Sequence, residues 1–299
     1  FNGGYNRAIR APNLAELFAT EQIGLWSGSD GCAGAAPTLT AAQCALTGVT
    51  AAQYGFVPNN TAGQFNQRTG GNAGLTPEEA DTWTFGFDFA PIEGLAVGID
   101  YYDITVGNRI GTIGSAAILN GCATTGDAAL CKLIFRNPSS GDLWKGEVGY
   151  ISNLTNNFGE ISTSGIDLNA NYTWDWLDGR WMASFVGTYV IDFNVEPLKG
   201  VNDAASYDCA GVVSVNCQTN EVRTITELRY TNELFSVNTR WRYISSLDYN
   251  QIGGTQDQLA KNGIDAYNFF DLSGSINVNE QVTITMGVNN IFDKEPPLV

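Results

Sequence analysis

Apolar and polar positions alternate strictly along much of this chain. In residues 81–90, Trp83, Phe85, Phe87 and Phe89 share one face, opposite Thr82, Thr84, Gly86 and Asp88. In 165–176, Ile166, Leu168, Ala170, Tyr172, Trp174 and Trp176 oppose Gly165, Asp167, Asn169, Asn171, Thr173 and Asp175. The same period of two returns in 181–193 (Trp181, Phe185, Tyr189, Ile191, Phe193), 235–243 (Phe235, Val237, Trp241, Tyr243), 270–278 (Phe270, Leu272, Ile276, Val278) and 282–288 (Val282, Ile284, Met286, Val288). Period two sustained over such lengths predicts β-strands. Residues 1–9 and the more charged 221–230 read as further strands. Residues 94–110 begin with Leu95, Val97, Ile99 and Tyr101 on one face and then swap face at Asp103, Ile104 and Val106. A bulge or an exit from an apolar environment explains such a swap.

The connections alternate in length. Short ones fall at Pro91–Gly94, Leu177–Arg180, Thr231–Glu233 and Asn279–Glu280, long ones at about 11–80, 111–160, 195–220 and 246–265. Tight turns on one rim and large loops on the other are the signature of an antiparallel up-and-down transmembrane β-barrel. Trp174, Trp176 and Trp181 gather around one short turn, as in an interfacial girdle. The expected fold is therefore all-β, with long loops facing the outside.

Composition narrows the chemistry. The 299 residues include 31 acidic and 15 basic ones, a net charge of −16, and no histidine. That balance argues against nucleic acid, whose binding rests on Lys and Arg. Lack of histidine removes Ser-His-Asp and Cys-His catalysis and His-ligated zinc, and no enzyme is expected. Mean hydropathy is −0.10, and no run of ~18 apolar residues offers a membrane helix; barrel strands hide this signal, because every second residue faces away from lipid. Ser27–Gly31 lacks the alternate acidic ligands that calcium needs, so no metal site is expected. The cysteines form three local clusters, Cys32 with Cys44, Cys122 with Cys131 and Cys209 with Cys217. This favours nearest-neighbour disulfides, all in long loops, and passage through an oxidising compartment.

Two segments resemble the TonB-dependent receptors of the Gram-negative outer membrane. Tyr5-Asn6-Arg7-Ala8-Ile9-Arg10-Ala11-Pro12, followed by Glu16-Leu17-Phe18, looks like a strand end of those barrels. Gly287-Val288-Asn289-Asn290-Ile291-Phe292-Asp293 is similar to their penultimate strand. Leu75–Trp83 and Thr163–Asp167 resemble strand starts of the same family. The resemblance implies a barrel of about 22 strands, of which residues 1–299 supply about nine as a C-terminal portion. A plug domain and the N-terminal box that meets the inner-membrane TonB complex are expected outside these residues. No leader peptide is evident at Phe1, so the chain is expected to begin inside something larger.

The implied function is energy-coupled uptake of a large, scarce nutrient: a siderophore, corrinoid, oligosaccharide or peptide. A passive porin-like channel is the alternative. No cofactor is expected. Loop residues suited to stack on and hydrogen-bond a hydrophilic ligand are Trp26, Asp30, Tyr54, Trp144, Asp248 and Tyr249. Arg223, Glu227, Arg229, Arg240 and Arg242 fall on the inward faces of two successive strands. They are candidates for contact with the plug or an anionic substrate, or for an ion-pair lattice within the wall.

Overall fold

A computed structural model describes residues 1–196, 206–214, 217–249 and 263–296, without the side chains of Ser214 and Cys217. Nine long strands form one antiparallel sheet in which each strand pairs with the next along the chain. They are β1 (Asn2–Arg10), β2 (Glu78–Phe89), β3 (Leu95–Gly107), β4 (Glu160–Asp175), β5 (Arg180–Glu196), β6 (Val222–Thr231), β7 (Phe235–Ile244), β8 (Tyr267–Asn279) and β9 (Val282–Val288). A short strand, Tyr207–Asp208, adds to the end of β5. The sheet does not close on itself within this chain.

Register keeps the two faces of the sheet distinct. Phe85, Phe87 and Phe89 stand opposite Tyr101, Ile99 and Val97, and Ile166, Leu168 and Ala170 stand beside the same three β3 residues. Many of these side chains are exposed, among them Trp83, Phe85, Phe87 and Ile99. A face of this kind needs an apolar solvent, not water. It ends at two aromatic rims. Near the short turns Trp174 stacks on Trp181, which meets Tyr230 and Trp176. Toward the long loops Tyr5 packs on Trp83. Beyond them the same face turns polar: Arg7 pairs with Glu79 and Asp81, and Asp103 and Ser164 sit side by side. From Trp174 to Ser164 the strand rises roughly 34 Å, or about 26 Å along the axis of a barrel with strands tilted by about 40°. An apolar band about 25 Å tall is what an outer-membrane wall requires.

The face swap expected near Asp103 has no bulge of its own. β3 pairs without interruption with β4 from Leu95 to Gly107 and with β2 from Val97 to Gly107, so the swap marks the exit from the apolar band. The bulge lies two strands away in sequence: Gly165 pairs with Val190 but Ser164 with Asp192, leaving Ile191 as the extra residue. Gly165 permits this because a Cβ there would meet the Tyr102 hydroxyl at 2.3 Å and the Tyr189 carbonyl at 2.7 Å. Trp176, expected within a strand, falls in the turn that precedes Arg180, where Leu177 and Asp178 take positive φ angles of 54° and 53°.

The buried core lies in the long loops rather than in the wall. Residues 11–77 and 108–159 fold together around Phe65, Ile118, Leu119, Cys122, Leu130, Leu143 and Ile151. The strand Gln64–Thr69 pairs with Gln22–Ser27 of its own loop and, in parallel, with Tyr150–Ser152 of the other. Four short helices complete this unit: α1 (Leu14–Phe18), α2 (Ala41–Leu46), α3 (Ser115–Thr125) and α4 (Ala128–Cys131). Both α1 and α2 start in capping boxes, Asn13 with Glu16 and Thr40 with Gln43, which satisfy otherwise orphaned N–H groups. Two predicted disulfides are present, Cys32–Cys44 and Cys122–Cys131. Cys209 is disulfide-bonded, while the Cys217 side chain lies outside the described residues.

Candidate functional site

Two regions carry chemistry: the loop unit and the polar face of β4 to β8. In the loop unit a buried charge pair ties one loop to the other. Arg136 donates to both Asp30 oxygens at 2.7 and 3.0 Å, to the Gly141 carbonyl at 2.8 Å and, through Nε, to the Thr47 carbonyl and hydroxyl at 3.1 and 3.0 Å. The two side chains are 3% and 1% exposed. Asp30 also accepts from the Cys32 N–H at 3.0 Å. A second buried carboxylate, Asp142, organises the turn into Trp144. Burial pushes its carboxyl up. The Ser140 hydroxyl and the Lys145 and Trp144 N–H groups more than reverse this, so it is held below the usual carboxylate range.

The base of the unit is fastened to the wall by Arg10. Its guanidinium donates to Glu78 at 2.6 and 2.9 Å and to Glu16 at 3.1 Å twice, and Glu78 also accepts from the Ile110 N–H. The Arg10 hydrogen bonds, with that of the Asn13 N–H, hold the Glu16 carboxyl below its ordinary value. β1, α1, β2 and the start of the second loop thus meet at one cation.

Four loop residues expected to face a ligand make contacts within the loop unit. Asp30 is sealed in the ion pair and offers no accessible carboxylate. Trp26 packs its ring 5.3 Å from Phe65 against the loop core. Tyr54 packs on the Cys32–Cys44 cluster and donates to the Leu39 carbonyl. Trp144 donates to the Pro58 carbonyl, with Lys145 over its ring. Each holds the loops together, because an aromatic with a polar tip serves a small core as well as a ligand. Asp248 and Tyr249 lie elsewhere, on a short strand parallel to Val212–Val213. Asp248 is exposed and Tyr249 half-buried.

On the polar face the five expected residues do come together. Register places Glu227 opposite Arg240, Arg229 opposite Asn238 and Ile225 opposite Arg242. Arg240 pairs with Glu227 at 2.5 Å. Arg242 grips Asp271 at 3.1 and 3.0 Å and lies over Phe269. Arg223 donates to Asn220. Arg229 has no hydrogen-bond or ion-pair partner among the described residues, and it faces an open recess with Arg180 and Asp175, near the short turns.

Asp271 also accepts from the backbone N–H of Asn290 at 2.8 Å. Asn290 takes a positive φ of 52°, and its side chain accepts from the Lys294 N–H and donates to the Lys294 carbonyl. Phe292 then meets Phe270 edge-on. The Asn-Asn-Ile-Phe-Asp segment is thus a structured turn that folds the chain back onto β8. Neither Asp271, which the alternation of 270–278 places only on the polar face of its strand, nor Arg136 was marked as a site residue by the sequence.

Residues 1–291 match the family described as TonB dependent receptor-like, beta-barrel. Among solved structures, a mutant ferric enterobactin receptor PfeA of Pseudomonas aeruginosa, in complex with enterobactin, is similar at 18% identity and a TM-score of 0.58 over 98% of this chain and 33% of that one. The siderophore receptor PirA of Acinetobacter baumannii is similar at 14% identity and a TM-score of 0.53, over 98% and 34%. The chain thus spans about a third of these structures, and at such identity the likeness establishes the fold. No curated protein matches the chain in sequence. The banded wall, the loop asymmetry and the match over 1–291 agree: the chain belongs to the TonB-dependent receptor family and forms part of its β-barrel.

Proposed function

We propose that this chain is the C-terminal part of an outer-membrane receptor that takes up a large, scarce nutrient by TonB-coupled transport. The observation that carries the reading is the family match across residues 1–291, and a wall with one apolar and one charged face supports it. In this reading the aromatic face meets the lipid of a Gram-negative outer membrane and the polar face lines the lumen. A plug domain occupies that lumen, and the TonB complex acts on the whole from the periplasm. The loop unit forms a preassembled part of the outer mouth. Ligand contact falls to its outer surface and to Asp248 and Tyr249, rather than to Asp30, Trp26, Tyr54 or Trp144. The similar structures named as siderophore receptors favour a chelated metal among the candidate nutrients.

The test uses the full-length gene in a deletion strain. Growth or uptake is measured on ferric siderophores, corrinoids, oligosaccharides and peptides, with and without a functional TonB complex. Uptake of one class that vanishes without TonB is the expected result. Uptake that persists without it would establish the passive channel instead.

A further inference from the structure

The apolar face has one gap in its relief. Val237, Gly274 and Met286 stand in a row across β7, β8 and β9. The adjoining row toward the short turns is Phe235, Ile276 and Ile284. Leu272 and Val288 bound the gap on the opposite side. The central position therefore has no side chain while large apolar ones surround it, and a groove of about 430 Å³ results. Its polar lining is slight, and it runs to Leu234 in the turn between β6 and β7. Gly187, on the same face of β5, leaves no such gap: the Phe185 ring lies 2.9 Å from where its Cβ would be. At Gly274 the nearest atom to a Cβ is the Ser236 carbonyl, beneath the groove, at 2.9 Å.

The charge at the open end is one-sided. The turn at Asn232–Leu234 carries Glu233 and the turn at Glu280–Gln281 carries Glu280, both exposed and neither with an ion-pair partner among the described residues. No Lys or Arg occurs in either turn. An apolar slot continuous with the lipid-facing band, running to a turn that carries Glu233 and ending on the same rim as the turn that carries Glu280, fits an acyl chain whose headgroup ends in an ammonium. An anionic headgroup would be repelled there.

The geometry points to a bound phospholipid: one acyl chain of an ethanolamine phospholipid lies in the groove over Gly274, with its ammonium between Glu233 and Glu280. The inference rests on the outer-membrane placement of the wall and not on which nutrient is carried. A glycine in the slot lets the chain lie close to the backbone, where dispersion contacts are densest.

The experiment uses the full-length receptor, purified in mild detergent and examined by native mass spectrometry. Micelles are doped with equal amounts of ethanolamine and glycerol phospholipid of the same chains. The wild type is expected to retain one ethanolamine lipid, at least fivefold over the glycerol lipid. Met286→Trp, which fills the groove from its edge and leaves the glycine at 274 in place, is expected to lose it, and E233Q/E280Q to retain both lipids equally. Heat-modifiable migration on gels confirms that each variant is folded. Three results would overturn the inference: no retained lipid in the wild type, equal retention by Met286→Trp, or a dimer mass abolished by that variant, which would make a second copy the occupant.

Discussion

Arg136 and Asp30, 106 positions apart in sequence, meet in a bidentate ion pair at 2.7 and 3.0 Å that is sealed between the two long loops. All the Arg136 hydrogen bonds described above end on residues of the loop unit. Its guanidinium is therefore the polar counterpart of the apolar cluster around Phe65 and Leu143.

Removing one partner leaves the other charge buried and unpaired, which costs about 3–5 kcal/mol. Arg136→Met is expected to loosen the loop unit by that order, and Asp30→Asn by less, because an amide still accepts one hydrogen bond. The double variant Asp30→Leu/Arg136→Met is expected to recover at least half of the loss. Amide hydrogen exchange of residues 22–69 and 134–152 in the full-length receptor measures it. A double variant no more protected than Arg136→Met would refute the assignment.

Acid should act on the same unit through Asp142. Its folded carboxyl titrates below the ordinary value, so it contributes stability that is complete above the unfolded value of about 3.9. That contribution is lost as pH falls through the lower, folded value. Hydrogen exchange around Trp144 is expected to be flat from pH 7 to about 4 and to accelerate below that, beyond the intrinsic pH effect. Asp142→Asn abolishes the extra acceleration and starts from lower protection, since the Lys145 and Trp144 N–H groups lose a charged acceptor.

The Cys122–Cys131 bridge closes a separation of 9 residues between α3 and α4, and Cys122 lies within the loop core. Loop-closure entropy assigns it about 2–3 kcal/mol. Cys122→Ala/Cys131→Ala is expected to expose residues 115–135 to protease on intact cells. Heat-modifiable migration of the barrel stays unchanged, because the residues described around this bridge belong to the loop unit. Loss of the folded barrel band would contradict that separation.

The wall was legible because period two survives in a sequence whenever a strand separates two environments, as the Trp83–Phe89 and Ile166–Trp174 runs show. The loop unit was not. Its core draws single residues from distant segments, Phe65 from one strand, Ile118 from a helix and Leu143 from a turn, and no local period connects them. Asp30, Trp26, Tyr54 and Trp144 looked like ligand contacts for the same reason, since a polar or aromatic residue in a long loop carries no mark of whether that loop has an interior. The capping boxes at Asn13 and Thr40 were the available signal, since Asn or Thr followed three residues later by Glu or Gln marks a helix start within a supposed loop. The ion-pair partners Glu227 and Arg240 were legible through face parity, whereas Asp271 with Asn290 needed the chain reversal after β9.

The polar face separates residues that hold the wall from one that does not. Asp271 accepts from Arg242 and from the Asn290 N–H. Asp271→Ala therefore removes charge-assisted bonds worth about 1–3 kcal/mol together, discounted because Arg242 is partly exposed. It is expected to lower the amount of folded receptor in the outer membrane. Arg229 makes no such bond among the described residues, and its recess opens on the polar face near the short turns. Arg229→Gln is expected to leave folded receptor at the wild-type level and to lower ligand uptake severalfold, the behaviour of a cation whose partner is the plug or the passing ligand. Quantitative immunoblotting of heat-modified and unmodified bands, paired with uptake, distinguishes the two. A fall in folded receptor with Arg229→Gln equal to that with Asp271→Ala would place Arg229 in the ion-pair lattice of the wall instead.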